Sequence, residues 1–442
     1  MNIIIAGAGR VGYRLAKTLS VKNDVFIIDK NAQALNRLQD AMDIMTVVGD
    51  IQNPDTYRVF AGKSFDLFIA VTDSDEVNIL STLIVTDIVE NIDKKIIRLR
   101  NHFFAQSSIS DKLEISEAVF PFTSSANAIG MLLDFPKANN IKDFIFVNHK
   151  LVSVLVQNSE MEGQNIQELN TQNLKIVGFE RNKKFFIPRE QDTVMQKDLI
   201  YMYGDEEEIK QLCSKLDIKI PKDIKKIAIF GANTLGLEIA KNFLDKKIDL
   251  KLIDNDENLC KKASEVLQDK AMVINSRYIE NSLYEEENLK SADMIIATSG
   301  NDEANIIKCM EAKEYGIQKT IAINNNIEYY NLMHKLGIVA ARGPKNSAYY
   351  SILEKISSSA MITERHFCGG RGSVFMRKIF SNSSLIGKTI KVIKSEDIQN
   401  FLLRENMILS IEKEFEIQNN DVIIVFLKTK KEEEVKEWIY HL

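Results

Sequence analysis

The sequence predicts an α/β protein with two doubly wound parallel-sheet domains, each followed by a small α+β domain, in a tandem duplication. Three observations carry this reading. Short unbroken apolar runs alternate with helix-length amphipathic stretches, as expected of strands covered on both faces in a parallel sheet. Phrases of the first half return in the second at a near-constant spacing of about 225 residues. Each alternating stretch then gives way to hairpin-like strands closed by one helix.

In the first half the runs are residues 3–6, 25–28, 44–48, 67–71, 96–99 and 118–120. Strands alternating with helices in this way read as a Rossmann-like fold. Residues 151–156 and 199–203 then read as strands and 206–216 as a helix, with 374–380, 421–427 and the helix 430–440 as their second copy. The duplication is visible segment by segment. Residues 2–12 (NIIIAGAGRVG) are echoed by 226–236 (KIAIFGANTLG), and 24–29 (DVFIID) by 249–254 (DLKLID). Residues 66–72 (DLFIAVT) are echoed by 293–299 (DMIIATS), and 75–78 (DEVN) by 302–305 (DEAN). The echo continues through 163–166 and 387–390, and through 197–201 and 420–424. The expected domains are therefore 1–136 and 225–356, Rossmann-like, and 137–218 and 366–442, small α+β domains. Linkers are expected near 135–143, 218–225 and 357–372, the last being rich in Ser and Gly.

Composition narrows the function. A chain of 442 residues exceeds one ordinary domain. Its formal charge of −5 gives no basic face for nucleic acid, and no apolar run approaches the ~20 residues that span a bilayer. The chain opens on an apolar strand without the parts of a signal peptide, so a cytoplasmic location is expected. Cys213, Cys260, Cys309 and Cys368 are widely spaced and read as free thiols. None of the five His falls in a metal-like spacing, so no metal site is expected.

The chemistry-bearing residues cluster at strand ends. Gly7, Gly9, Arg10, Val11 and Gly12 lie between a strand and a helix. Such glycines allow a tight turn and let backbone N–H groups approach a pyrophosphate at the helix N-terminus. Asp29 closes the second strand, where an acid accepts hydrogen bonds from ribose hydroxyls and repels the 2′-phosphate of NADP. Arg10 reaches a β- or γ-phosphate or is a solvated surface side chain. Gly49 and Asp50 end the third strand, with Asp50 either on an adenine amino group or in an ordinary turn. Thr72 and Asp73 end the fourth, and the acids Asp75 and Glu76 open the next helix and can cap it. Arg98 and Arg100 lie on or just past a buried strand, so one of them meets a phosphate or the fourth-loop acids.

The second half departs from this pattern. Gly231, Gly236 and Asp254 repeat the motif, but Asn233 replaces the central glycine and Asn275 and Ser276 replace the Gly–Asp pair. A Cβ at Asn233 hinders a pyrophosphate, which leaves the second cleft altered, weak or unfilled. No His, Lys or Cys is set apart for catalysis, and no Walker A sequence is present. A binding protein is expected, with an NAD-dependent oxidoreductase as the alternative that fold analogy alone suggests.

Taken together, residues 2–12, Asp29, Gly49, Asp50, residues 70–78 (AVTDSDEVN), Arg98 and Arg100 closely resemble the RCK (KTN) domains that regulate potassium transport. The resemblance covers nearly the whole chain, and its duplicated form is similar to the cytoplasmic regulatory subunits of Trk potassium-uptake systems. It implies a homo-oligomeric gating ring beneath a potassium-conducting, TrkH-like membrane subunit, with NAD(H), ATP or ADP as regulatory ligands. By position it implies that Gly7, Gly9, Arg10, Val11 and Gly12 line the phosphates and that Asp29 and Lys30 hold the ribose. Asp50 and the adjacent Ile51 would meet the adenine edge, Thr72 and Asp73 would form the cleft mouth, and Arg100 would position phosphates or a subunit contact.

Overall fold

The structure is a computed structural model that describes residues 1–144, 146–221, 223–276, 283–357 and 362–442. The first half opens with β1 (Asn2–Ala6), α1 (Arg10–Leu19), β2 (Asp24–Asp29), α2 (Ala32–Gln39) and β3 (Met45–Val48). It continues with β4 (Ser64–Ala70), α3 (Asp75–Ile88), β5 (Asn91–Arg98), α4 (Ser107–Ser110), β6 (Glu117–Val119) and α5 (Pro121–Gly130). The strands pair in parallel in the order β3-β2-β1-β4-β5-β6. The continuous apolar runs have the expected cause. Ile3, Ile5, Ile27 and Ile69 feed the core on one face of the sheet, while Ile4, Ala6, Ile28 and Phe68 feed the core on the other. Strand order reverses between β1 and β4, which opens the crevice where such sheets take ligands.

A small domain follows, with β7 (Ala138–Lys142), β8 (Lys150–Leu155), α6 (Ile166–Leu169), β9 (Leu174–Arg181), β10 (Lys184–Phe186), β11 (Leu199–Gly204) and α7 (Glu206–Leu216). Its sheet is antiparallel, in the order β10-β9-β11-β8-β7. Residues 135–143 are therefore not a simple linker, because they carry β7. Their polar sequence hid a strand whose Ala138 and Ile141 are buried while Asn139 accepts the Leu155 N–H with its side chain.

The second half repeats the plan. It has β12 (Lys226–Phe230), α8 (Thr234–Lys241), β13 (Asp249–Asp254), α9 (Glu257–Leu267), β14 (Met272–Asn275) and α10 (Leu283–Glu286). Then come β15 (Met294–Ala297), α11 (Asp302–Glu314), β16 (Lys319–Asn324), α12 (Tyr330–Lys335), β17 (Val339–Arg342) and α13 (Pro344–Ser357). Sheet order is again that of a doubly wound fold, β14-β13-β12-β15-β16-β17. The last domain holds β18 (Ile362–Phe367), β19 (Gly372–Lys378), β20 (Thr389–Lys391), β21 (Ile398–Arg404), β22 (Met407–Ser410), β23 (Glu414–Glu416), β24 (Val422–Lys428) and α14 (Glu432–His441). Its main sheet runs β18-β19-β24-β21-β22. The linker expected over 357–372 is also corrected where it is described. Residues 362–367 form β18, whose charged Glu364 and His366 are buried against partners of their own; positions 358–361 lie outside the described residues.

The compact units do not follow the repeat. One comprises Met1–Ser125 with Arg342–Ile356, the other Ala126–Ala341 with Ser357–Leu442. In the first unit, α13 supplies Ala348, Tyr349, Tyr350 and Ile352 to the core that holds Ile3, Ile5 and Leu15. The Arg14 guanidinium lies 3.9 Å from the centre of the Tyr349 ring and donates to Asn346 Oδ1. Lys355 pairs with Glu117 at 2.7 Å. In the second unit, Asn242 Nδ2 donates to Asn127 Oδ1 at 3.0 Å and Lys246 pairs with Asp134 at 3.0 Å. The core of the first parallel sheet is thus completed by α13, which follows the second, while the chain from Ala126 onward, with half of α5, belongs to the unit of the second. Among the described residues, no helix is long and apolar enough to cross a membrane.

Candidate functional site

The three glycines of the first loop have different jobs. Gly7 has a φ of +110°, which a side chain rarely tolerates. A Cβ at Gly12 would lie 1.8 Å from the Gly7 carbonyl oxygen, so the loop and α1 meet only because that atom is missing. At Gly9, by contrast, nothing lies within 4 Å of where a Cβ would sit. The protein itself has no packing need for that glycine. Gly9 is also the N-cap of α1 and offers no side-chain hydrogen bond to the first turn. The result is a helix N-terminus whose first-turn N–H groups receive no side-chain cap, the arrangement that suits an anion. Val11 and Gly12 are buried beneath it, while Gly9 and Arg10 are exposed.

The acids are held by the backbone around this space. Asp29 Oδ2 accepts the Ala8 N–H at 2.7 Å and its Oδ1 accepts the Asn31 N–H at 2.9 Å. One carboxylate therefore ties the glycine loop to the turn after β2, and Lys30 stands exposed beside it. Asp50 is exposed, with Oδ1 accepting the Gln52 N–H at 2.9 Å. The neighbouring Ile51 is buried, and its carbonyl accepts the Tyr57 hydroxyl at 2.9 Å. A Cβ at Gly49 would meet Thr56 at 2.6 Å, so this turn needs its glycine as well.

The loop after β4 resolves what its sequence left open. Arg98, buried, pairs with the exposed Asp73 at 2.8 Å, so it meets a fourth-loop acid. Arg100 is exposed, with a guanidinium nitrogen 3.9 Å from the same carboxylate. Asp75 does not cap its own helix; Ser74 does, accepting the Val77 N–H at 3.3 Å. The Asp75 carboxylate instead accepts the N–H groups of Arg100 and Asn101. Asn78 accepts the Thr72 N–H at 2.9 Å and the Thr72 hydroxyl at 2.7 Å. It donates to the Thr72 carbonyl at 3.2 Å and the Arg98 carbonyl at 2.8 Å. The Asp and Asn of this repeated motif are thus clamps that hold the ends of β4 and β5 together at the cleft.

The second copy keeps the clamps and changes the cradle. Asp302 accepts the Asn325 and Asn326 N–H groups, and Asn305 binds Ser299 and the Ile323 carbonyl. Gly231 again has positive φ, +119°, and Gly236 again abuts its carbonyl. Asp254 accepts the Ala232 N–H at 2.6 Å, as Asp29 does in the first copy. At the central position the two loops part. Asn233 Oδ1 accepts the Leu235 and Gly236 N–H groups at 2.9 and 3.1 Å, and its Nδ2 donates to the Thr298 carbonyl at 2.6 Å. The donors that stand open in α1 are taken in α8 by the protein's own side chain. Asn275, though exposed, is likewise engaged by the protein itself, its Nδ2 donating to the Asp254 carbonyl at 3.3 Å.

This paired geometry has counterparts among known proteins. The TrkA-N domain pattern matches residues 3–121 and again 227–342, and the TrkA-C domain pattern matches 151–217. The two TrkA-N matches, 119 and 116 residues, cover more than half of the 442. The chain belongs to the TrkA-N domain family. Similarity within it extends from end to end. The Trk system potassium uptake protein TrkA homolog 1 of Methanosarcina mazei is 26% identical over 99% of this chain and 100% of its own length. The Trk system potassium uptake protein TrkA of Haemophilus influenzae is 27% identical over 98% and 96%. Among solved structures, the GsuK RCK domain aligns over 100% of this chain and 95% of its own, with a TM-score of 0.62 at 17% identity. The GsuK channel bound to NAD aligns over 100% and 79%, with a TM-score of 0.61 at 17% identity. The RCK fold of this TrkA-N family member, two parallel-sheet domains in tandem with antiparallel small domains, is therefore shown.

Proposed function

We propose that the chain is a nucleotide-binding regulatory subunit of a potassium-uptake system and that nucleotide enters the first cleft. The observation that carries this is Gly9, whose missing side chain serves no packing need and leaves the N-terminus of α1 open. An adenine nucleotide, NAD(H), ATP or ADP, would place its phosphates on the N–H groups of residues 9–12 within reach of Arg10. Its ribose would lie by Asp29 and Lys30, and its base by Asp50 and Ile51. Thr72, Asp73 and Arg100 would border the mouth. The relatives' names, Trk system potassium uptake proteins, support the potassium role, and the GsuK structures described as bound to NAD and to ADP support the ligand class.

Regulation then needs no chemistry. A ligand that prefers one conformation tenfold shifts the balance by about 1.4 kcal/mol per site. Several chains closed into a homo-oligomeric ring would multiply that shift and pass it to a TrkH-like membrane subunit at the inner face of the membrane. The test is calorimetric titration of the full chain with ATP, ADP, NADH and NADPH. Saturable binding of at least one of the first three near one site per chain, without turnover, is expected. Gly9→Glu, which places a carboxylate in open space, should abolish binding and leave the far-ultraviolet circular dichroism unchanged. Undiminished binding in that variant, or steady consumption of the nucleotide, would sink the assignment.

A further inference from the structure

A second constellation lies in the last small domain, away from either cleft. Glu364 and His366 stand two apart on β18 and so share a face of the sheet. Glu432 opens α14, which packs over that sheet. Glu364 and His366 are 1% and 5% exposed, and the Glu432 side chain is 19% exposed. One donor atom from each of the three lies within 4.8 Å of the other two. His366 Nε2 is 3.0 Å from Glu364 Oε1, and Nδ1 is 3.7 Å from Glu432 Oε2. Ser373 Oγ lies 3.0 Å from Nδ1 and donates to Glu432 Oε2 at 2.9 Å. A hydrogen-bonded group that orients the imidazole in this way is the usual companion of a metal-bound histidine.

Electrostatics makes the cluster unusual. Two carboxylates so close in a water-poor pocket need a cation between or beside them. Lys436 Nζ comes to 3.4 Å of the outer Glu364 oxygen, Oε2, and leaves Oε1 facing the imidazole. Nor does the fold require the cluster. In the first small domain β7 pairs with β8 as β18 does with β19, and there Ile141 faces Val152 at the position of Glu364. In the second, Glu364 faces Phe375 and His366 faces Ser373.

We propose that Glu364, His366 and Glu432 form a site for one divalent transition-metal ion of the zinc class, joining β18 to α14. One imidazole with two carboxylates is a zinc-type donor set, and water would complete a four-coordinate shell. Ligand atoms about 2.0–2.2 Å from zinc stand a little over 3 Å apart in a tetrahedron; with one donor atom from each of the three within 4.8 Å of the other two, coordination requires the side chains to draw in around the ion. The ion would pin the edge strand of the sheet to the last helix.

The test uses the full chain, stripped with chelator and titrated with Zn2+, and with Co2+ as a coloured substitute. One ion per chain is expected, with the visible absorption of four-coordinate Co2+ and a rise in melting temperature. His366→Asn and Glu432→Gln should each weaken binding at least tenfold. The X-ray absorption spectrum of the zinc-loaded wild-type chain needs no variant, and it should show a nitrogen and oxygen shell with one imidazole. Absence of binding by the wild-type chain would overturn the proposal and leave a histidine held between carboxylates. Equal binding by His366→Asn, or sulfur in the zinc shell, would overturn it as well.

Discussion

Lys319 is 2% exposed at the start of β16, and its Nζ donates to the Ala138 carbonyl at 2.5 Å. Burial pulls its ammonium down to about 7, with Asp217 and Cys213 opposing and Lys313 and Lys137 adding to the fall. The unfolded chain holds that proton up to the ordinary lysine range. Between these limits the unfolded state binds more protons, so this group makes stability rise with pH from about 7 to about 10. Below that window both states are protonated and the contribution is gone. Lys319→Met should flatten the slope, read as urea midpoints at a series of pH values; an unchanged slope would remove Lys319 as its source. Asn233 makes a residue-scale prediction of the other kind. Asn233→Gly deletes the side chain that occupies the first turn of α8. It should raise nucleotide stoichiometry from one to two per chain, or at least admit inorganic pyrophosphate, and a ratio stuck at one would place the block elsewhere. How legible these residues were follows from distance along the chain. Gly7, Gly12 and Asp29 act within one strand-loop-helix unit and could be read from spacing. Asn233 could be read as a departure, though not as a cap. Lys319 and the trio Glu364, His366 and Glu432 depend on elements far apart in sequence, which spacing does not report.

At the scale of elements, the Asp and Asn clamps explain why the segment after β4 appears in both halves. Asn78 is 1% exposed and makes four hydrogen bonds that tie Thr72 to the end of β5. Asn78→Ala strands buried partners at about 1–3 kcal/mol for each uncompensated group. A loss of about 2–4 kcal/mol in denaturant unfolding, together with weaker nucleotide binding, is therefore expected. A change below about 0.5 kcal/mol, the size of a surface substitution, would show that the clamp is dispensable. The parallel strands were legible because both their faces are apolar. The edge strands β7 and β18 were not, since Asn139 and Asn140 in one and Glu364, Arg365 and His366 in the other carry the polarity of a loop. Their burial is supported by side-chain partners that appear only in three dimensions.

For the whole molecule, the duplication has produced two scaffolds of one topology with different cradles, one open and one filled by Asn233. It has also left the core of the first sheet to be completed by α13, which follows the second. A chain ending at residue 343 keeps every strand of the first sheet but lacks Ala348, Tyr349, Tyr350 and Ile352. It should lose protease resistance in residues 1–125 and lose nucleotide binding, with a peptide of residues 344–357 restoring both. Full binding by the truncated chain would show that α13 is dispensable to the cleft. This arrangement could not be read from the repeat, because a periodic sequence gives the parts of each copy but not which copy each part joins. It also sets a timetable for synthesis. The strands of the first sheet leave the ribosome by residue 119, yet the helix that seals them arrives only with residues 344–357. At about 5–20 residues per second, the nascent first sheet waits roughly 10 to 45 seconds with an apolar face unsealed. The half made first is thus the half completed late, and throughout that interval it is the natural client of a chaperone.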